Sequence, residues 1–139
     1  MIMDGIIKNV KGIYMQPVNK FMMLYMAVND IPKSKEFYSN KLGLKVTTDH
    51  RQDNDHWWVS LAFPEGGITI TLSTYHGNTK PGTMNLYFAT TDITAAHKEL
   101  SNKGVKVNEV KNDLFGPGSG VKWFDFEDPD GNQVKLVQA

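Results

Sequence analysis

The sequence predicts an α+β fold: two tandem βαβββ modules whose strands form a cupped, mostly antiparallel sheet with the helices on its outer face. Three observations carry this prediction. They are an internal repeat, matching helix start and stop signals in both copies, and two-residue alternation along the strand-like segments. The repeat aligns "LYMAVNDI" (residues 24–31) with "LYFATTDI" (86–93), and at the same offset "SNKLGLKV" (39–46) with "SNKGVKV" (101–107), one residue shorter. "GGITITL" (66–72) matches "DGNQVKL" (130–136) in pattern. Two copies of one supersecondary unit explain these matches better than a solenoid, whose period is shorter.

The elements follow in order. Residues 22–28 form an apolar strand. Asn29-Asp30 offers an N-cap, and Pro32 falls early in the following helix, where its missing N–H costs nothing. Phe37, Tyr38 and Leu42 give that helix an apolar side, and Gly43 ends it. Strands are predicted over 45–48, 57–63 and 68–73, the last two joined by "PEGG". In the second copy a strand covers 84–90, Asp92 or Thr94 caps a helix to Lys103, and Gly104 stops it. Strands then cover 106–110, 121–127 and 133–137, with "PDG" as the turn between the last two. The expected organisation is an N-terminal extension (1–20), a first module (21–74), a linker (75–83) and a second module (84–139). Ile6, Val10 and Ile13 permit a short amphipathic helix in the extension. "NDLFGPGSG" (112–120) reads as a mobile loop.

Composition limits the function. Fifteen basic and 15 acidic residues balance, so no global field draws the chain to nucleic acid or an anionic membrane. No apolar run approaches a membrane span. Residues 1–20 contain Asp4, Lys8 and Lys11 without a continuous apolar stretch, which argues against a signal peptide. The chain has no Cys, which removes disulfides, thiolate metal sites and a Cys nucleophile. A reducing, cytoplasmic location fits.

Alternation sorts each strand into two faces. Ile68, Ile70 and Leu72 oppose Thr69, Thr71 and Ser73. Leu86 and Phe88 oppose Asn85, Tyr87 and Ala89. Val59, Leu61 and Phe63 oppose Trp58, Ser60 and Ala62. Phe124 and Phe126 oppose Trp123, Asp125 and Glu127, and Val134 and Leu136 oppose Gln133, Lys135 and Val137. The apolar sets belong under the helices. The other set mixes polar groups with Tyr25, Trp58, Tyr87 and Trp123. Wetting explains its Thr, Ser and Lys. An aromatic-walled concave surface with a few polar groups also has the composition of a small-ligand site. The competing reading is that these aromatics fill an inter-module or dimer contact.

The tandem modules, with "VNDIPKSKEFYSNKLGL" early and "FDFEDPDGNQVKLVQ" late, resemble the vicinal oxygen chelate superfamily. That group contains glyoxalase I, extradiol dioxygenases, fosfomycin-resistance enzymes and bleomycin-resistance proteins. The resemblance implies a cup whose strands carry metal ligands in the family's enzymes. Carried over position by position, the four ligand places fall on Met23, Thr71, Asn85 and Lys135. None suits a divalent cation: thioether is soft, hydroxyl weak, amide auxiliary, and ammonium repulsive. Two like unit charges ~4 Å apart repel by ~4 kcal/mol at an effective dielectric of ~20, and a divalent ion doubles this. His50, His56, His76 and His97 are too scattered to read as one site, and His76 is placed to reach the cavity rim. Asp125 and Glu127 share the face of Lys135, and an Asp–Lys pair is expected there rather than a metal.

These readings imply a protein without cofactor that binds a small, partly aromatic or anionic molecule, as the metal-free bleomycin-resistance-like members do. Its candidate contacts are Met23, Tyr25, Trp58, Thr71, Asn85, Tyr87, Phe115, Trp123, Asp125 and Lys135. The resemblance also implies a homodimer, with modules side by side in one chain or exchanged between two. The alternatives are a glyoxalase-like lyase or isomerase, or a dioxygenase-like enzyme, using a divalent metal at a non-standard site. A non-catalytic interaction module is a third reading. Nucleic-acid and membrane partners are not expected.

Overall fold

The computed structural model describes residues 16–139. The amphipathic segment around Ile6, Val10 and Ile13 lies outside them. Strand β1 (Met23–Ala27) leads into helix α1 (Ile31–Glu36), followed by β2 (Lys45–Asp53), β3 (His56–Ala62) and β4 (Thr69–Ser73). The second copy runs β5 (Asn85–Thr90), α2 (Ile93–Asn102), β6 (Trp123–Glu127) and β7 (Gln133–Gln138). In the first sheet the order is β1-β4-β3-β2, and in the second β5-β7-β6. The β1–β4 and β5–β7 pairs are parallel and the remaining pairs antiparallel. This is the α+β class the alternation predicts.

The repeat is physical as well as textual. Asp30 and Asp92 both leave the helix region (φ −142° and −144°), and their carboxylates accept the backbone N–H of Lys33 at 3.1 Å and of Ala95 at 3.0 Å. Gly43 and Gly104 end the two helices at φ +85° and +86°, a region that only glycine enters without strain. The one-residue difference between the copies also has a structural meaning. After α1 the chain makes a π-helical turn over Phe37–Lys41, and Leu42 N–H donates to Phe37 O at 3.0 Å. A π turn accommodates one extra residue without breaking the helix. The second copy, one residue shorter, has no such turn.

One predicted strand is not regular. Residues 106–110 run beside β6 but form no continuous ladder. Asn108 N–H donates to Asp125 O at 3.0 Å, and Lys111 and Trp123 then exchange backbone bonds at 2.8 and 2.9 Å. Three steps on this side span two on β6, so the segment carries a bulge. Local alternation is the same for a bulged and a regular edge strand, which is why the sequence did not distinguish them.

The apolar faces of both sheets merge into one core. Met26, Ile31, Tyr38, Val59, Leu61, Ile70 and Leu72 from the first module meet Leu86, Ile93, Phe124, Phe126 and Val134 from the second. Each large side chain buried there contributes ~1.5–3 kcal/mol. Phe37 lies 6.2 Å from Phe126, and Phe63 5.2 Å from Phe88, centroid to centroid.

A polar lock spans the same seam. Asp128 is buried, and its Oδ2 accepts the Tyr38 hydroxyl at 2.6 Å and Asn132 Nδ2 at 2.8 Å. Its Oδ1 accepts the backbone N–H groups of Asp130 and Asn132 at 3.0 and 2.9 Å. Asn132 Oδ1 accepts Met84 N–H at 2.9 Å. Asp130 reaches back across the seam, accepting Asn29 N–H and Nδ2 at 3.0 Å each and Ser34 Oγ at 3.3 Å. "DPDGN" therefore joins the modules, and "EFYSN" supplies its partner. Burial, then the charge of Asp128 and its hydrogen bond, push the Tyr38 hydroxyl well above the usual phenol range.

Candidate functional site

The faces turned away from this core hold the residues singled out in the sequence, but in two groups. The first is on the β1–β4–β3 surface. A cavity of about 370 Å³ there is lined by Met23, Tyr25, Trp58, Thr71, Ser73 and Tyr75, among others. The parallel register places Tyr25 beside Thr71, and the antiparallel register places Ser60 on the other side of Thr71. The Thr71 hydroxyl donates to Met23 Sδ at 3.3 Å and lies 2.9 Å from Ser60 Oγ. Tyr25 OH lies 2.8 Å from Ser73 Oγ and also bonds the Tyr75 carbonyl. Trp58 stacks on His50 with centroids 4.4 Å apart. Tyr25 and Trp58 remain 40% and 38% exposed, so their rings are available to a ligand.

The second group is on the β5–β7–β6 surface. Tyr87 pairs with Lys135, and Lys135 with Asp125, in register. The Lys135 ammonium lies 5.3 Å from the centroids of both Tyr87 and Trp123, within cation–π range. Lys111 Nζ lies 5.5 Å from the same indole. Asn85 precedes Tyr87 on this face and is exposed. Trp123 Nε1 donates to Asp113 Oδ1 at 3.1 Å, which ties the glycine-rich loop to the sheet.

Several expectations change here. The Asp125–Lys135 ion pair does not form. Asp125 Oδ1 instead accepts Asn108 Nδ2 at 2.7 Å, and Glu127 accepts Gln133 Nε2 at 3.0 Å. Among the described residues no carboxylate lies within ion-pair distance of Lys135. An aromatic clip holds it instead, a partner that sequence spacing does not favour over a carboxylate on the neighbouring strand. Thr71 lines the cavity but is buried, with its hydroxyl bonded to Met23 and Ser60. Phe115 stands 80% exposed on the glycine-rich loop. His76 Nε2 bonds Val28 O at 2.8 Å, which ties the linker to the end of β1. His97 packs edge-on against Phe124 and bonds Asn108 O, as a structural histidine does. Lys111 was not among the predicted contacts. Its signal, a cation opposite Trp123 on the adjoining segment, depended on the bulged register.

The two groups do not meet. Among the described residues no hydrogen bond joins them, and the two sheets share no ladder. The modules pack through their core faces, so β1 and β5 are left as edge strands. The four places that the resemblance assigns to metal ligands divide likewise, Met23 and Thr71 on one surface, Asn85 and Lys135 on the other. They do not fit a divalent cation, since one hydroxyl is engaged with a thioether and a cation stands at the fourth place. Among the described residues no three of His, Cys, Asp and Glu converge elsewhere. No helix among them is long and apolar enough to cross a membrane.

Comparison with known proteins agrees with this geometry. A family model described as Glyoxalase/Bleomycin resistance protein/Dioxygenase superfamily matches residues 18–136. A Bacillus subtilis (strain 168) protein, YwkD, described as uncharacterized, is 28% identical over 118 residues, covering 79% of this chain and 89% of the relative. Among solved structures, TnmS3, an antibiotic binding protein from Streptomyces sp. CB03234, superposes with a TM-score of 0.76 at 25% identity. That match covers 88% of this chain and 98% of the other. A glyoxalase/bleomycin resistance protein from the same organism gives 0.70 at 27% identity, covering 84% and 98%.

Proposed function

The chain belongs to the glyoxalase/bleomycin resistance protein/dioxygenase superfamily, and on that premise we propose that it binds a small, partly aromatic or anionic molecule without a metal. The carrying observation is the exposure of Tyr87 on a face where the Lys135 ammonium is held by aromatic rings, with Tyr25 and Trp58 exposed beside a cavity on the other sheet. Two half-exposed rings beside a cavity, as Tyr25 and Trp58 are, suit a ligand surface. Stacking on these rings supplies affinity, and Lys135 orients the ligand. The likeness to an antibiotic binding protein supports a binding role. The alternative, a lyase, isomerase or dioxygenase, needs a base or a metal. The nearest carboxylates, Asp125 and Glu127, are engaged by amides, which favours binding.

The same reading includes a homodimer. Among the described residues β1 is an edge strand, preceded by exposed Val18, Phe21 and Met22. An open edge with apolar flanks invites a second chain, and a second copy would bring one β1–β4 surface against another chain's β5–β7 surface. Light scattering that returns the mass of a single chain at micromolar concentration would contradict the dimer. A reducing cytoplasmic location completes the proposal, consistent with the absence of cysteine.

The test is a thermal-shift screen of flat aromatic molecules, acidic, neutral and basic, on chelator-treated protein. Hits that raise the midpoint in wild type and lose their effect in Trp58→Ala or Tyr87→Ala are expected. If these variants respond like wild type to every hit, the exposed rings are not the site.

A further inference from the structure

The second sheet carries a charge arrangement that the ligand-binding reading alone does not require. Lys111 and Lys135 approach one indole, Trp123, at 5.5 and 5.3 Å. Backbone pairing of Lys111 with Trp123 puts both on the same side of the sheet as Lys135. The nearby carboxylates accept neutral donors, Asp113 the Trp123 N–H, Asp125 that of Asn108 and Glu127 that of Gln133, and among the described residues none is within ion-pair distance of either lysine. On the first sheet a single cation, Arg51, lies over the Trp57 indole at 4.4 Å, and the hydroxyls of that surface bond one another.

We propose that this lysine pair selects ligands bearing an acidic group on a flat ring, with the ring laid on Tyr87, which is 60% exposed. The proposal rests on the ligand-binding reading and names its ligand class: aryl carboxylates and their anionic equivalents. Neither ammonium forms an ion pair among the described residues, so an acidic group on the ligand gains a charge-assisted hydrogen bond without displacing a carboxylate. The Lys135 ammonium is already held at the Tyr87 and Trp123 rings, so less rotamer freedom is lost on binding. A cationic ligand meets like charge at the same place.

Isothermal titration with 2-naphthoate and methyl 2-naphthoate separates charge from ring. Wild type should bind the acid about tenfold more tightly than the ester at low salt, the difference expected from one charge-assisted contact. The preference should shrink as salt rises. Lys135→Gln should remove most of it, bringing the affinities of acid and ester together. Lys111→Gln should remove a smaller part. Both variants replace partly exposed or exposed groups outside the core, and their unmodified melting curves would confirm intact folding. Equal affinity for acid and ester in wild type, or a preference that survives Lys135→Gln, overturns the proposal. Failure of both probes also overturns it, while hits of other chemistry in the thermal-shift screen would leave the ligand-binding reading standing.

Discussion

Replacing Asp128 by Ala should cost ~3–5 kcal/mol of folding stability, a large share of the ~5–15 kcal/mol available to a domain. The reason is the number of donors that the carboxylate serves in a buried place. Tyr38 OH, Asn132 Nδ2 and the backbone N–H groups of Asp130 and Asn132 all lose their acceptor at once. A buried donor left unsatisfied costs ~1–3 kcal/mol, and water entering the gap offsets part of the sum. Tyr38→Phe removes one donor and should cost ~1.5–3 kcal/mol. The double variant should cost clearly less than the two single changes added, because both act on one bond. Urea denaturation measures all three. Additive costs would show that Tyr38 and Asp128 are not coupled. The same bond has a pH signature. The folded state holds Tyr38 protonated above the ordinary phenol range, so its contribution is complete below pH ~10 and declines as the pH rises beyond it. Tyr38→Phe should flatten this alkaline loss.

Gly82→Ala should be the other severe change, at ~2–4 kcal/mol. Gly82 lies in the linker at φ +82°, where an L side chain is strained. A Cβ there would also meet the backbone oxygen of Asp130 at 2.2 Å, far inside contact distance. Asp130 belongs to the turn that holds Asn29 and Ser34 of the first module. The added methyl would therefore push the linker and the lock apart. Gly77→Ala is the comparison: its φ is also positive, at +56°, but no atom lies within 4 Å of the new Cβ. The difference between the two variants in chemical denaturation isolates the contact with Asp130. Equal costs would mean that only backbone strain matters at Gly82.

What was legible in the sequence was local. Cap positions at Asn29-Asp30 and at Asp92 or Thr94, the stops at Gly43 and Gly104 and the two faces of β3, β4, β5 and β7 follow from residue type and spacing, and the structure selects Asp30 and Asp92 as the caps. The one-residue gap in the repeat was visible as text, but its expression as a π turn depends on Leu42 packing toward the core. Long-range choices were less accessible. "DPDGN" reads as a turn, yet Asp128 is chiefly a buried acceptor for Tyr38, ninety positions earlier. The Lys135 ammonium had a carboxylate and two rings within plausible reach, and only tertiary geometry selects the rings. The bulge at residues 109–110 put Lys111 beside Trp123, which alternation alone does not reveal.

These long-range choices govern the site. Because the lock and the shared core join the modules through their inner faces, the aromatic surfaces point outward as two halves. The functional reading treats them as places for a ligand and a second chain. It also holds that an ammonium has replaced a cation-binding group at the position of Lys135. Elemental analysis of protein purified without added metal or chelator tests that claim most directly. The account predicts no nickel, zinc, iron or manganese near one equivalent per chain. One equivalent of any of them, lost together with ligand binding on chelation, would contradict it.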